Sequence, residues 1–549
     1  MIEPQFENQC SPSEYDWLEK FRQQHGRSPR VLHIGNIANN AYNNAKLLND
    51  VGLDCDVICY DYYHIMGCPE WEDADFVETV RDQFFPNWHS VNLNGFQRPR
   101  WFVQGPIKLC IRYLLAKRQN DFKSANFLWL KLELYRYAIT CLIGSFLYFL
   151  YRKLKTYVKY FKAKITLLIT KIYTLLSPQK YSPLHESSKS FDARIEEIIQ
   201  PPQKYSPLHK SSKLFDARIE EVIQLFHLKF PERTDRLLVS DLTDYRRLIV
   251  WWTELFEQYD IIQGYSTDPI WPLLAGKKYF AFEHGTLREI PFHNTTQGRI
   301  TAISYSEAQH VFVTNSDCLE NAHYLAGERV SYLNHPYDEN HGVAVSGWQE
   351  LRQQLCQQLN ADFLFFFPTR QDWVIGTGYA DKSNDVFLKA FCRLRLLGHK
   401  VGMVCCRWGK NVQDSIHFLQ ENQCADYVLW QEPMGTVQFE RTVKACHVVV
   451  DQFKLGSFGG VMFKAMAVGA PICTYLNEAE ILRQYDRSPP VLNCQTDVQI
   501  VQAIEEAIAC PERLHHLSQS AKQWIDKYHS SKSTVQTQLQ QYKLLLMTD

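Results

Sequence analysis

Short apolar runs rich in β-branched and aromatic residues recur along the chain and alternate with longer segments of helical periodicity. RVLHIG (residues 30–35) is followed by a helical stretch over 39–51 and then by CDVICYD (55–61). After a long helical and irregular region come DIIQGY (260–265), KYFAFEH (278–284), HVFVTN (310–315) and VSYLNHP (330–336). Strands of this length, apolar on both faces and separated by helices, predict a parallel sheet covered on both sides. A polar break at 338–347 interrupts the pattern, which restarts with DFLFFFPT, KVGMVCC, DYVLW, HVVVDQF, PICTYL and PVLNC, each followed by a helix-compatible segment. The expected fold is therefore α/β: two tandem doubly wound Rossmann-like domains, residues 1–338 and 339–549, with a ligand in the crevice at the carboxyl ends of both sheets. The last helix is expected to be able to pack back on the first domain.

One stretch departs from this alternation. Residues 122–226 read as a helical, basic insertion in the first domain, in which 137–150 carry no charge and 151–176 carry Arg152, Lys153, Lys155, Lys159, Lys162, Lys164 and Lys171 with no acid. Fourteen uncharged residues are short for a membrane span, which needs about twenty. An apolar segment running into interleaved cations fits a helix lying on an anionic membrane surface; a hairpin packed on the protein with a solvated lysine face is the alternative. A near-perfect repeat follows, QKYSPLHESSKSFDARIEEIIQ (179–200) and QKYSPLHKSSKLFDARIEEVIQ (203–224). Two copies cannot stack into a solenoid, so this reads as a local duplication.

Bulk properties narrow the function. A chain of 549 residues exceeds what one core supports, and 45% hydrophobic with 13% aromatic residues is ordinary for a globular enzyme. With 59 basic against 60 acidic residues, the formal charge of −1 argues against a nucleic-acid partner. The 16 cysteines form no CxxC pair or regular framework, which points to a reducing, cytosolic setting, and the polar N-terminal stretch has no apolar signal core.

The richest chemistry lies in DQFKLGSFGGVMFKAMAVGAP (451–471): a β-branched strand, a turn punctuated by Gly456, Gly459 and Gly460 with Ser457 and Phe458 between them, then a small-residue helix. Such a loop brings backbone N–H groups close to an anion at the positive end of a helix, as a nucleotide diphosphate requires. Arg370, just past the first strand of the second domain, and Lys382, at the start of the following helix, would converge on the same crevice and complete a diphosphate clamp.

These features together resemble the large retaining GT-B-fold family of glycosyltransferases that use nucleotide-sugar donors, from about residue 30 to the C-terminus excluding 122–226. The resemblance implies that Arg370 and Lys382 hold the donor diphosphate and that the loop Gly456 to Gly460 cradles it. It also implies that WQEPM, with Trp430, Gln431 and Met434, borders the base, and that Gly35 and Asn36 approach the donor phosphates. His284, at the end of KYFAFEH, matches a histidine close to the reacting sugar, a structural histidine being the alternative, with Glu283 and Arg288 as weaker acceptor-side candidates. The family usually carries two glutamates eight positions apart, and this chain has Gly456 and Lys464 there; a lysine cannot accept hydrogen bonds from a ribose diol.

Asp54-Cys55-Asp56 and Asp73-Ala74-Asp75 match the DxD metal signature of the other glycosyltransferase fold, but the first opens a strand and the second lies in an acidic run, so no metal and no cofactor beyond the donor substrate is expected. GNIANN lacks the third glycine of a dinucleotide fingerprint, which argues against a dehydrogenase. The expected activity is transfer of a sugar from a nucleoside diphosphate to a glycan or lipid-linked acceptor, by a cytoplasmic protein peripheral on the inner membrane face. A catalytically silent GT-B scaffold is the alternative.

Overall fold

The computed structural model describes residues 15–80, 82–138, 212–374 and 381–547. Its first sheet has seven strands: β1 (Arg30–Ile34), β2 (Asp54–Tyr60), β3 (Phe102–Gly105), β4 (Ile261–Tyr265), β5 (Phe280–Glu283), β6 (His310–Val313) and β7 (Val330–Tyr332), ordered β3-β2-β1-β4-β5-β6-β7. Its second has six: β8 (Phe363–Phe367), β9 (Val401–Cys406), β10 (Val428–Gln431), β11 (Val448–Val450), β12 (Ile472–Thr474) and β13 (Leu492–Asn493), ordered β10-β9-β8-β11-β12-β13. All pairings are parallel, as expected of strands that read apolar on both faces. Phe365, Phe366 and Phe367 of β8 have no exposed surface.

One strand escapes the sequence pattern. β3 has four residues, Phe102 pairing with Val57 of β2, and lies within the stretch that reads as helical and irregular. The edges of the segment read as an insertion also differ from expectation. Helix Phe122–Tyr137 buries Leu128 and Leu132, and helix Ser212–Lys229 buries Phe215, Ile219, Val222 and Phe226, all in the core of the first sheet. Residues 139–211, which hold most of the uncharged and basic stretch and the first repeat copy, lie outside the described residues. Among the described residues no helix is long and apolar enough to cross a membrane.

The closing helix, Ser531–Met547, returns to the first domain. Val535, Leu539 and Tyr542 join the core cluster of β1, β2 and β4, and the Tyr542 hydroxyl donates to Gln263 Oε1 at 2.8 Å. This crossing ties the C-terminus to the first sheet and holds the two strand-end surfaces toward a common cleft.

Candidate active site

A cleft of about 450 Å³ lies between the carboxyl ends of the two sheets. From the first domain it is lined by Ile37 and Ala38 after β1, His64 to Met66 after β2, His284 after β5 and His335 after β7. The second domain contributes Pro368 after β8, Trp408 after β9, Met434 after β10, and Thr436, Gly460 and Lys464 from two helices. This is where a doubly wound sheet leaves backbone ends and side chains free to meet a ligand.

The glycine turn is built as its sequence demands. Gly456 has φ +68, and a Cβ there would lie 2.8 Å from Asn477 N, so no larger residue fits. A Cβ on Gly459 would approach Asp451 Oδ2 to 3.2 Å; the helix Gly460–Ala467 starts immediately after it. Behind the turn, Asp451 Oδ1 accepts from Thr369 Oγ1 at 2.9 Å, Gln452 Nε2 donates to Ser457 O at 3.2 Å, and Lys382 Nζ donates to Gln452 Oε1 at 2.7 Å. Burial, though partly offset by the Asp451 charge, pushes the Lys382 ammonium below its ordinary range, and the charges of Arg370 and Arg288 push it the same way. Three cations thus face one region beside the turn, a setting that an incoming anion would relieve.

Arg370 is half exposed and held by Asp372 at 2.7 Å; Arg288 is held by Asp317, with Nε to Oδ2 at 2.6 Å. Neither they nor Lys382 line the cleft itself. The tandem arrangement, with a cation-backed glycine turn between two sheets, is now complete. The architecture is GT-B.

No family model matches the chain, and no curated protein matches it. Solved structures overlap with part of it. Anabaena HepE in complex with UDP and glucose superposes with a TM-score of 0.44 at 14% identity over 55% of this chain and 82% of its own. Sucrose-phosphate synthase from Thermosynechococcus elongatus gives 0.39 at 14% over 55% and 80%, and the catalytic domain of Starch Synthase IV from Arabidopsis thaliana, bound to ADP and acarbose, gives 0.40 at 12% over 56% and 78%. At such identities and scores these overlaps assign nothing to individual residues.

Across the cleft, His284 presents an enclosed Nε2 without a hydrogen-bond partner. Burial depresses it to about 4, so the ring is neutral near pH 7. The preceding Glu283 is fully buried, its Oε1 accepts from Gly285 N, and burial raises its pKa against the opposing pull of Gly285, Cys318 and Asn315. His335 stacks on Phe463 at 5.5 Å and Phe463 on His529 at 5.0 Å, a column of rings along the cleft floor.

Several sequence-derived candidates prove structural. The Gly35 amide donates to Ile58 O at 2.9 Å and is not free for phosphate, while its φ of +88 makes room for Asp268. Asn36 is consumed internally, Nδ2 donating to Asn39 Oδ1 and Gly67 O, both at 3.0 Å, and Oδ1 accepting from Tyr42 N at 2.9 Å. Phe458 is buried against Trp524 and His529, its apolar ring drawn into the core of the second domain. Trp430 packs on that domain's other core cluster, and the Gln431 carbonyl accepts from Arg407 N at 2.7 Å; of the WQEPM segment only Pro433 and Met434 reach the cleft.

The sequence reading missed Trp408 and Thr436. Trp408 follows β9 and its indole donates to Pro368 O at 2.6 Å, fixing an aromatic face at the cleft; a tryptophan two residues past a strand end was the available signal. Thr436 donates from Oγ1 to Glu72 Oε2 at 3.0 Å and receives Lys464 Nζ at 2.9 Å. Lys464, where the family resemblance puts a glutamate, thus meets a carboxylate carried in by the other domain.

Proposed function

We propose that the cleft binds a nucleoside diphosphate sugar and that the protein transfers its sugar to a glycan or lipid-linked acceptor. The observation that supports this best is the desolvated Lys382 beside the Gly456 turn, with Arg370 and Arg288 acting on the same space. Leaving-group charge grows on a diphosphate as the glycosidic bond breaks, and fixed cations and helix-end amides stabilise that charge without reorganisation. Trp408, Met434 and Phe439 offer an apolar surface for a base, and neutral His284 on the opposite wall is placed to hydrogen-bond a sugar hydroxyl near the reacting centre. Retention of configuration follows from the family resemblance, and independence of metal from the chance placing of the two DxD matches; both belong to the same proposal. The test is calorimetric titration with UDP, GDP and ADP and their glucose conjugates, followed by product analysis with the donor that binds. Failure of all three bases to bind would remove the reading.

Contact with an anionic membrane face is part of the proposal and rests on the charge pattern of residues 137–176. Salt-sensitive co-sedimentation with anionic liposomes, lost when this stretch is replaced by a linker, would support it; equal partitioning of both forms would remove it.

A second reading, a GT-B protein that binds without transferring, is favoured by one observation: Lys464 is spent on Glu72 and Thr436. Donor hydrolysis or transfer by purified protein decides against it.

A further inference from the structure

The segment 63–72 after β2 has two faces. His64, Ile65, Met66, Trp71 and Glu72 face the inter-domain cleft, whereas Tyr63, Cys68 and Glu70 face a second pocket of about 400 Å³ on the first domain. That volume is within the range of small-molecule sites. Its other walls carry Trp88, Phe96 and Trp129 together with Arg98, Arg100 and Glu133.

Among the described residues the buried Tyr63 hydroxyl makes no hydrogen bond, and the buried Trp88 indole N–H finds at most the Cys68 sulfur, a weak acceptor. A folded chain rarely leaves enclosed donors unpaired unless a ligand or water supplies the acceptor. A purely apolar ligand would not supply one. A phosphate would demand a larger cation excess than this pocket has, since two of its three arginines are matched by carboxylates. Arg98 gives Nε and Nη2 to Glu70 at 2.9 and 2.7 Å and Nη1 to Gln104 Oε1 at 2.6 Å, while Arg136 pairs with Glu133. Arg100 bonds Asn126 Oδ1 at 2.6 Å and lies 5.8 Å over the Trp129 ring. What remains is a set of aromatic faces, the Tyr63 hydroxyl, the weakly held Trp88 N–H and the spare lone pairs of Glu133 beside Arg136.

That set matches a pyranose, whose C–H faces pack on aromatic rings and whose hydroxyls accept from Tyr63 and Trp88 and donate to Glu133. We infer that this pocket is a carbohydrate-binding site for a neutral pyranose unit, a foothold for a glycan acceptor one segment away from the transfer cleft. Only the word acceptor rests on the proposed transfer; sugar binding stands on the pocket alone.

The test titrates full-length protein with methyl glucoside, methyl galactoside and N-acetylglucosamine at millimolar concentration, read by ligand-observed NMR and tryptophan fluorescence, with UDP binding measured in parallel. Tyr63→Phe keeps the ring and deletes the donor, so it should melt no lower than wild type yet weaken sugar binding by about fivefold, the worth of one neutral hydrogen bond; Trp88→Phe also trims the aromatic face and should weaken sugar binding at least as much. UDP affinity should be unchanged in both, and Lys382→Ala should show the converse. Absence of binding by all three sugars, equal sugar affinity in wild type and both variants, or displacement of the sugar by inorganic phosphate would each overturn the site. Loss of UDP binding in wild type, with sugar binding intact, would remove the transfer proposal and leave this pocket standing.

Discussion

Lys464 Nζ, in the second domain, donates to Glu72 Oε1, in the first, at 2.8 Å, and both side chains are nearly enclosed. The pair belongs to an acidic segment that meets cations at each step. Glu70 holds Arg98, Glu72 holds Lys464, Asp73 holds Lys46 at 3.0 Å, and Asp75 holds Arg441 across the domains at 2.7 Å. His341 adds a further link, its Nδ1 2.8 Å from Glu440 Oε2 and its Nε2 3.6 Å from Asp73. The run that reads as acidic chance in sequence is a seam between the domains.

Because this pair is largely removed from water, breaking it should strand a buried charge. Lys464→Met should lower stability by about 3 kcal/mol, and the exchanged pair Glu72→Lys with Lys464→Glu should recover part of that loss. Urea denaturation of the three variants measures it. Additive losses in the double variant would show that the two residues do not act on each other.

The cation cluster predicts affinity. Lys382→Ala should weaken nucleoside diphosphate binding by about 1.5–3 kcal/mol, the cost of one charge-assisted contact. Titration calorimetry showing wild-type affinity would place the diphosphate elsewhere.

His284 has no hydrogen-bond partner at Nε2, so removing the ring should cost little in folding and much in turnover. We expect His284→Ala to keep its melting temperature within a few degrees and to lose about a hundredfold in kcat. A collapsed melting temperature would make the histidine structural.

Seven desolvated histidines set an acid limit. Burial lowers His33 and His529 to about 3 and His284, His310, His335 and His447 to about 4, and it lowers His64 as well. In the unfolded chain each titrates near 6.5, so below that pH the unfolded state takes up protons that the native state refuses. The stability contributed by these groups is present above pH 6.5 and falls toward pH 4, by up to about 1.4 kcal/mol per pH unit for each histidine. His341 works against them: despite burial, Glu440 and Asp73 raise its pKa, so its contribution is full below 6.5 and fades as pH rises through its raised folded value. Buried Asp268, raised to about 7, acts in the same sense as His341, and urea midpoints that stay level from pH 7 to 5 would contradict the excess of depressed histidines over these two.

The alternation of apolar runs and helical segments determined the fold class, because a strand buried on both faces must be mostly apolar, and twelve of the thirteen strands of the two sheets were legible on that basis. The glycine turn was equally legible, since only glycine tolerates φ +68 against the Asn477 backbone. The tertiary structure decided which polar groups are spent and which are free. Asn36 and Phe458 sit in the right loops by sequence, yet one is taken up by Asn39 and Gly67 and the other by a core of rings. Glu72 and Lys464 lie 392 residues apart, and no local pattern announces that a carboxylate from one domain will meet a lysine from the other. Spacing along the chain encodes the period of an element and the chemistry of a turn; the partner of a side chain depends on how two finished domains close on each other.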